Sequence, residues 1–388
     1  MNNVFVRRLL ILVVVLIIAF FGGKELWDIR HFKQSIVVSE DFTEKVMLSD
    51  YFEGIKGTWV DTPVYIYDSG NPGATMLWMG GTHPYEPATM IAAYVAAENI
   101  KIDKGKIFLV PVANRSAWSM GDYGFGYPSY FTLEGDWGEK KFRIGARNTN
   151  QLDQWPDPFT YIHYPSRQNL AYEDIRNLNR AYPGYPTGGL TERLAFAFME
   201  LIRNEEIDLV IDMHEASLMY PVVSTFVSHQ DADDIAMMAA MNLSAEQFPM
   251  KTETSPRGLR GLTHREIGDY SDALVVLMET AEPFIDRVAS KLTEELMVEG
   301  KCEFLQTASE NGLLFCDPPY DIEFGKPMWY RVGRHLSGTM EVIKQMALFY
   351  PEKEMQVEFP TYFDLEEHDI MHFLHNPETA DTDRLFYQ

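Results

Sequence analysis

His83 and Glu86 lie three residues apart in the segment GGTHPYEP at 80–87. An apolar run precedes the two glycines, and a proline suits the first position of a helix. The pattern therefore predicts a strand, a tight turn and a helix that begins at Pro87. Sites of α/β proteins lie at such carboxyl ends of strands, and imidazole and carboxylate groups are zinc ligands. Alone, the pair is a weak signal, because a turn histidine beside a helix-capping glutamate gives the same pattern.

His214 is the third candidate ligand, and it follows the apolar run at 207–213. If this strand is a neighbour of the strand before His83, the two imidazoles enter one crevice. Two histidines and one glutamate are a known ligand set of catalytic zinc, which keeps a further position for water. Asp212 lies on the same strand face and could orient His214. A hydrogen-bonded core histidine would explain His214 alone, but it explains the three residues together less well.

Glu279 ends a further apolar run, in the segment LMETAEP at 277–283. A buried carboxylate at this position is costly unless it has a partner or a task. Zinc lowers the pKa of its bound water towards about 7, and Glu279 could take a proton from that water and give it to a leaving amine. A salt-bridged structural glutamate is the alternative. Glu282 is a less well placed candidate for the same role.

Asn179 and Arg180 lie side by side in the segment RNLNRAYPG at 176–184. Both side chains carry hydrogen-bond donors, and the guanidinium group binds a carboxylate with two parallel hydrogen bonds. The pair could therefore hold a substrate carboxylate. A surface loop with ordinary solvated charges is the alternative.

The elements that would position these residues alternate along the chain. Buried strands are predicted at 75–79, 107–112, 207–213 and 273–278. Helices are predicted at 87–99, 191–204, 231–248 and 284–298. Strands that alternate with helices indicate an α/β fold, with a mixed, largely parallel twisted sheet and helices on both of its faces.

In their order along the chain, these motifs resemble those of the zinc carboxypeptidase superfamily, specifically its succinylglutamate desuccinylase and aspartoacylase branch. The match extends over about residues 75–285. It includes the GGTHxxE turn, the LNR and YPG motifs at 178–184, the strand that ends at His214 and the ETA motif at 279–281. The segment VPVANRSA at 110–117 is similar to the Asn-Pro-x-Ala segment of the family.

The resemblance implies a zinc carboxypeptidase-like fold with zinc bound by His83, Glu86 and His214. It also implies that Glu279 is the general base and acid and that Asn179 and Arg180 hold a substrate carboxylate.

A further arginine of the family polarises the scissile carbonyl group and stabilises the charge that develops on its oxygen. Arg167 is the candidate in this chain, with Arg147 and Arg176 as alternatives, because spacing does not decide between them. The chain departs from the family at Pro84-Tyr85, where small residues are usual, and in its long segment at 118–167.

The composition of the chain divides the remaining residues into several predicted segments. Arg7 and Arg8 precede an apolar run at 9–21. This pattern predicts a signal peptide or a signal anchor within 1–23, and it favours the uncleaved anchor. The arginines would stay in the cytoplasm, so that the rest of the chain would be extracytoplasmic, or secreted after cleavage. The remaining predicted segments are a linker at 24–57, a catalytic domain at 58–350, an aromatic, Gly- and Pro-rich insertion near the site at 118–167, and an acidic C-terminal tail at 351–388.

The formal net charge of −24 argues against nucleic acid as a partner, because phosphate binding needs clustered Lys and Arg. Cys302 and Cys316 could pair outside the cytoplasm, but sequence alone does not decide it. The predicted function is zinc-dependent hydrolysis of an amide bond in a small-molecule or peptide substrate that bears a carboxylate. The enzyme would be a carboxypeptidase or an N-acyl amino acid deacylase. The alternative is a membrane-anchored, non-catalytic binding module that contains zinc on the same fold.

Overall fold

The computed structural model of the chain describes residues 3–121, 128–246, 248–285 and 291–388. In these ranges the α-helices are α1 (Asn3–Arg30), α2 (Pro87–Asn99), α3 (Arg115–Trp118), α4 (Leu190–Asn204), α5 (Asp233–Ala245), α6 (Thr263–Tyr270), α7 (Glu294–Glu299), α8 (Glu303–Glu310), α9 (Met328–Phe349) and α10 (Tyr362–His368). The strands are β1 (Ser35–Val37), β2 (Glu44–Met47), β3 (Pro63–Asp68), β4 (Thr75–Met79), β5 (Lys101–Lys104), β6 (Lys106–Val110), β7 (Tyr130–Gly135), β8 (Gly138–Arg143), β9 (Tyr161–Ile162), β10 (Asn169–Leu170), β11 (Leu209–Ser217), β12 (Thr225–Ser228), β13 (Lys251–Thr254), β14 (Leu274–Glu282), β15 (Gln356–Glu358) and β16 (Leu385–Tyr387).

A mixed sheet forms the centre of the molecule. Of the described strands, eight belong to it, in the order β13–β12–β14–β11–β4–β6–β3–β2. The central strands β6, β4, β11 and β14 are parallel to one another. The pairs β2–β3, β3–β6 and β12–β14 are antiparallel. The predicted α/β fold with a largely parallel sheet is therefore confirmed.

Helices cover both faces of this sheet. Successive side chains of a strand point to opposite faces, so alternate residues of one strand belong to different cores. On β4, Met76 and Trp78 belong to the core that includes buried residues of α2, α5 and α9. Leu77 and Met79 belong to the core on the other face, which includes buried residues of α4. The central strands are apolar on both faces. This explains why the sequence shows continuous apolar runs at their positions.

The turn from β4 to α2 requires both of its glycines. Gly81 has a φ of +59°, a conformation that glycine adopts without the penalty of a Cβ atom. A Cβ atom on Gly80 would lie 2.5 Å from the carbonyl oxygen of Thr89 in α2. Pro87 then occupies the start of the helix, where no backbone hydrogen bond is lost. This local chemistry places the residues at 82–86 at the carboxyl end of β4.

Most predicted elements agree with the structure, and one agrees only in part. The strand at 75–79 and the helix at 87–99 have the predicted bounds. The helix predicted at 284–298 is confirmed only in its last part, because Phe284 and Ile285 form a bend and the helix is Glu294–Glu299. Thr293 caps that helix by accepting a hydrogen bond from the backbone N–H of Leu296. Residues 286–290 lie outside the described ranges.

The segments at the two ends of the chain pack on the central domain. From the segment at 24–57, β2 joins the main sheet and β1 pairs antiparallel with β16. In the acidic segment at 351–388, Leu365, Ile370 and Leu374 are buried in the core. The described part of the insertion at 118–167 contains the β7–β8 hairpin and β9. Cys302 and Cys316 are both buried and free.

Helix α1 differs from all of these segments, because its apolar side chains are exposed. It is long and apolar enough to cross a membrane, and a signal sequence near an N-terminus would have the same properties. Its last residues, Ile29 and Arg30, contact the domain.

Candidate metal centre

The three predicted ligands meet where β4 ends beside β11, and His214 lies within β11, which continues to Ser217 and does not end at His214 as predicted. His83, Glu86 and His214 are buried, and their ligand atoms all lie within 4.8 Å of one another. The Nδ1 atom of His83 is 2.9 Å from Oε1 of Glu86, and the Nδ1 atom of His214 is 3.0 Å from Oε2. The carboxylate thus lies between the two imidazole rings.

Both rings are held through their other nitrogen atoms. The Nε2 atom of His83 is 2.7 Å from Oδ1 of Asn177, and the Nε2 atom of His214 is 2.9 Å from Oδ2 of Asp212. These contacts leave both Nδ1 atoms directed at the carboxylate of Glu86. Zinc binds imidazole nitrogen and carboxylate oxygen at about 2.0–2.2 Å, so ligands that surround one ion lie about 3–4 Å apart. The donor set and its spacing therefore fit a zinc ion.

Asp212 is the centre of a buried hydrogen-bond network behind His214. Its Oδ1 atom accepts a hydrogen bond of 2.8 Å from the hydroxyl group of Thr82, and Oδ2 accepts one of 2.7 Å from Thr263. The two hydroxyl groups fix the carboxylate, and the carboxylate fixes the ring of His214. Such an arrangement increases the basicity and the order of a metal-binding histidine.

Replacement of Asp212 by asparagine is expected to weaken zinc affinity by about 10–100-fold, because an amide holds the imidazole less strongly than a carboxylate does. Competition with a fluorescent zinc chelator would measure the change. Asp208→Asn is the matched control, since Asp208 pairs with Lys353 at 2.9 Å near the other end of β11. Equal zinc affinities of the two variants would contradict the assigned role of Asp212.

The surroundings of His83 and Glu86 favour the forms that bind a metal, whereas those of His214 favour its protonated form, which would have to release a proton to bind one. Burial lowers the pKa of His83 to about 4, so this ring is neutral near pH 7. Burial alone would raise the pKa of Glu86, but His83 and His214 outweigh it and lower the pKa below its usual range. Burial also opposes the charged form of His214, but Asp212 and Glu86 raise its pKa well above the usual value. A neutral imidazole and an ionised carboxylate are the forms that bind metal.

Glu279 lies beside the centre, because it pairs with His214 in the parallel register of β11 and β14. Its side chain lines the cavity that also includes His83 and Glu86. Burial raises the pKa of Glu279 to about 8, with Glu86 also raising it and His214 lowering it. A carboxyl group with a pKa near neutrality can both accept and donate a proton.

Glu282 points away from this cavity. Side chains alternate along β14, so Glu282 shares the face of Thr280, which contacts His335 of α9 at 3.0 Å. Among the described residues, neither carboxylate oxygen of Glu282 has a hydrogen-bond partner, and burial raises its pKa. The structure therefore leaves Glu279, and not Glu282, in a position to act at the centre.

The cavity above the three ligands has a volume of about 510 Å³. Of the described residues, Arg147 and Arg180 supply its guanidinium groups. Arg147 donates a hydrogen bond of 2.6 Å to the hydroxyl oxygen of Tyr85, and Arg180 donates one of 2.7 Å to the carbonyl oxygen of Asn179. The Oδ1 atom of Asn179 accepts a hydrogen bond of 2.8 Å from the backbone N–H of Thr263. The predicted residues Asn179 and Arg180 thus line the same cavity as the metal ligands.

Arg167, the arginine predicted to polarise the carbonyl group, does not line this cavity. Arg167 is exposed on the turn between β9 and β10, whereas Arg147 lies in the cavity. Arg176 is buried and pairs with Asp157 at 2.9 Å. At Gly145 the chain again lies next to the turn between β4 and α2. The N–H of Gly145 donates a hydrogen bond of 3.0 Å to the carbonyl oxygen of Pro84. This contact brings Arg147 beside the turn that carries His83.

Four supporting residues were missed in the sequence. They are Thr82, Tyr85, Asn177 and Thr263. Asn177 had the clearest signal, because it lies two residues before Asn179 in the same motif. Thr82 belongs to the GGTHxxE motif, but its role and that of Thr263 depend on Asp212, a partner from a distant part of the chain.

No protein-family model matches the chain, and no curated protein is similar to it. Solved structures with similarity include a succinylglutamate desuccinylase from a Silicibacter species, at a TM-score of 0.34 and 17% identity over 57% of this chain and 54% of that one. A metallo-carboxypeptidase from Burkholderia cenocepacia has a TM-score of 0.46 and 10% identity over 85% and 68% of the two chains. A cell shape determinant protein from Helicobacter pylori has a TM-score of 0.42 and 11% identity over 78% and 54%. The match to the desuccinylase covers about half of its length.

Proposed function

We propose that this protein is a zinc-dependent hydrolase that cleaves an amide bond in a substrate with a carboxylate group. The proposal rests on one observation, the buried group of His83, Glu86 and His214 at the floor of a cavity that Glu279 also lines. A structural zinc site is usually closed by four protein ligands, whereas a catalytic site has three and an open position. Three ligands beside a cavity and a further carboxylate match the catalytic arrangement.

The residues around the centre have separate tasks in this reaction. When bound, zinc would supply a Lewis acid that activates water and polarises the scissile carbonyl group. Glu279 would accept a proton from the attacking water and donate it to the leaving nitrogen. Arg147 would donate a hydrogen bond to the carbonyl oxygen as negative charge develops there.

The preference for a carboxylate is supported by the two arginines in the cavity. Burial lowers the pKa of Arg180, and the positive charge of Arg147 lowers it further. A cation that is destabilised in this way is stabilised by a nearby anion. Asn179 and Arg180 would hold the carboxylate of the substrate. A cavity of about 510 Å³ has room for an acylated amino acid or the end of a short peptide.

We also propose that α1 anchors the protein in a membrane with the hydrolase domain outside the cytoplasm. The exposed apolar surface of α1 supports the anchor, and Arg7 and Arg8 before the apolar run support this orientation. Peptides of the cell wall or of the environment would then be accessible as substrates.

A paired substrate screen tests the proposed function. The full chain in detergent is expected to release a free amino acid from peptides with a free C-terminus or from N-acyl amino acids. A chelator should abolish this release and added zinc should restore it. C-terminally amidated peptides and N-acyl amino acid amides are the matched controls, because they lack the carboxylate and should react at least tenfold more slowly.

Two other results would contradict the proposal. Stoichiometric zinc without turnover in either panel would support the non-catalytic binding module. Unfolding of the whole domain on chelation would support a structural zinc site, because a catalytic site on a large core loses activity and keeps its fold. Circular dichroism and metal analysis of the same samples distinguish these cases.

A further inference from the structure

A second cavity, of about 300 Å³, lies where α1 joins the domain. Its walls are formed by Arg30, His31, Phe32, Lys33, Trp59, Arg115, Trp118, Arg143, Tyr387 and Gln388. It shares no lining residue with the metal centre. Four of the side chains are Lys or Arg and four are aromatic, although the chain as a whole has a net charge of −24.

Arg143 is the innermost of these cations. It is 2% exposed, and its Nε atom has no hydrogen-bond partner in the part of the chain that the structure describes. Its guanidinium group donates to the carbonyl oxygen of Ile29 and lies 3.5 Å above the ring of Trp118. Burial, with smaller contributions from Arg115 and Arg30, lowers the pKa of Arg143 to about 9, although Tyr94 and Tyr130 raise it. A buried cation in this position needs a counter-charge.

The domain itself supplies little of that counter-charge. Arg30 pairs with Asp153 at 2.5 Å. Arg115 donates a hydrogen bond of 3.4 Å to the backbone carbonyl of Asp61, whose side chain instead accepts from the N–H of Ser49. Among the described residues, no carboxylate forms an ion pair with Lys33, Arg115 or Arg143. Three cations of the cavity are therefore free to bind an external anion.

The position of the cavity along α1 identifies the kind of anion. If Arg7 and Arg8 extend to the interface, the apolar span of α1 runs from Val4 to Phe21, which is about 27 Å at 1.5 Å per residue. This length matches the hydrocarbon core of a bilayer, which is about 30 Å thick. Trp27 would then lie at the interface, where tryptophan is enriched. Arg30 follows Trp27 within one turn, and Lys33 lies just beyond the end of α1, so the cavity is next to the membrane surface and its lipid head groups.

We propose that this cavity binds the phosphate head group of an anionic phospholipid from the membrane that α1 enters. Arg115, Arg143 and Lys33 contact the phosphate oxygens, since guanidinium and ammonium groups are the usual phosphate donors. The aromatic walls of Trp59 and Trp118 enclose the glycerol region, because indole rings suit such an interface. The bound lipid fixes the domain against the end of its anchor.

Native mass spectrometry of the full chain in detergent micelles tests this site. An equimolar mixture of dioleoyl phosphatidylglycerol and dioleoyl phosphatidylcholine is the probe, with inorganic phosphate as a separate competitor. At least a tenfold preference for phosphatidylglycerol is expected, and inorganic phosphate at the lipid concentration should not displace it. The double variant Lys33→Gln and Arg115→Gln should reduce phosphatidylglycerol binding at least fivefold. It changes residues at the rim, so the fold should persist.

The matched control removes the same two charges elsewhere, as Arg203→Gln with Lys344→Gln on exposed helix surfaces. It should bind phosphatidylglycerol like the unchanged chain. Equal binding of the two lipids, or equal binding by the two double variants, would overturn the proposal. Displacement by inorganic phosphate at the lipid concentration would also overturn it, because the site would then be one for soluble anions. None of these results depends on hydrolase activity.

Discussion

Replacement of Glu279 by glutamine is expected to lower kcat by about 10²–10⁴-fold, the usual contribution of general acid–base catalysis. Glutamine has nearly the same shape as glutamate, but it can neither accept a proton from water nor donate one to the leaving nitrogen. Zinc content and the melting temperature should stay close to those of the unchanged chain, because Glu279 is not one of the three ligands. Steady-state kinetics and metal analysis of the same preparation give all three quantities.

Glu282→Gln is the control that makes this result specific. Both glutamates lie on β14, three residues apart, but Glu279 lines the cavity and Glu282 faces the opposite side of the sheet. Because the raised pKa of Glu282 favours its protonated form, an amide is a close substitute there. Activity should therefore persist in Glu282→Gln. If Glu279→Gln retained kcat within a few-fold, or if Glu282→Gln lost as much, the assignment of the proton carrier would be overturned.

The three candidate ligands stood out in the sequence because each lies in a local pattern. The run at 75–79, its glycines and Pro87 define the turn that carries His83, and the run at 207–213 defines the strand before His214. Their convergence depends on the pairing of β4 with β11, in which Met79 lies beside Asp212. No local pattern contains that pairing, and the motifs suggested it only through their resemblance to a family. The structure supplies it directly.

The edges of the sheet were harder to predict than its centre. Strands β2, β12 and β13 have four residues each, and such short runs do not show a reliable period. The central strands are apolar on both faces because helices cover both sides, so their runs stand out in the sequence. Burial on both faces therefore determined which strands could be recognised in the sequence.

The arginine of the insertion could not be assigned from sequence, because its position depends on the path of a long irregular segment. The decisive residue is Gly145. A Cβ atom added at this position would lie 2.5 Å from Cβ of Pro84. Any larger residue would push the segment away from the turn that carries His83. Arg147 follows two residues later and reaches the cavity, whereas Arg167 lies on an exposed turn. The close approach of these two backbone segments, and not the spacing of the arginines in the sequence, brings Arg147 rather than Arg167 to the cavity.

Replacement of Arg147 by glutamine is accordingly expected to reduce kcat/KM by about 10²–10³-fold, the typical effect of removing a donor to a developing oxyanion. Most of the loss should appear in kcat, because the hydrogen bond strengthens as charge builds on the carbonyl oxygen in the transition state. Zinc binding should not change, since Arg147 donates to Tyr85 and contacts no ligand through a hydrogen bond in the described part of the chain.

Arg167→Gln removes the same group from the exposed turn and should leave both kinetic constants within a few-fold of the unchanged chain. A comparison of the two variants on one substrate therefore decides between the first candidate from the sequence and the arginine that the fold brings to the cavity. A large loss in Arg167→Gln with little change in Arg147→Gln would mean that the turn between β9 and β10 closes over the substrate. Equal, small losses in both would remove carbonyl polarisation by arginine from the proposed mechanism and leave that task to the metal.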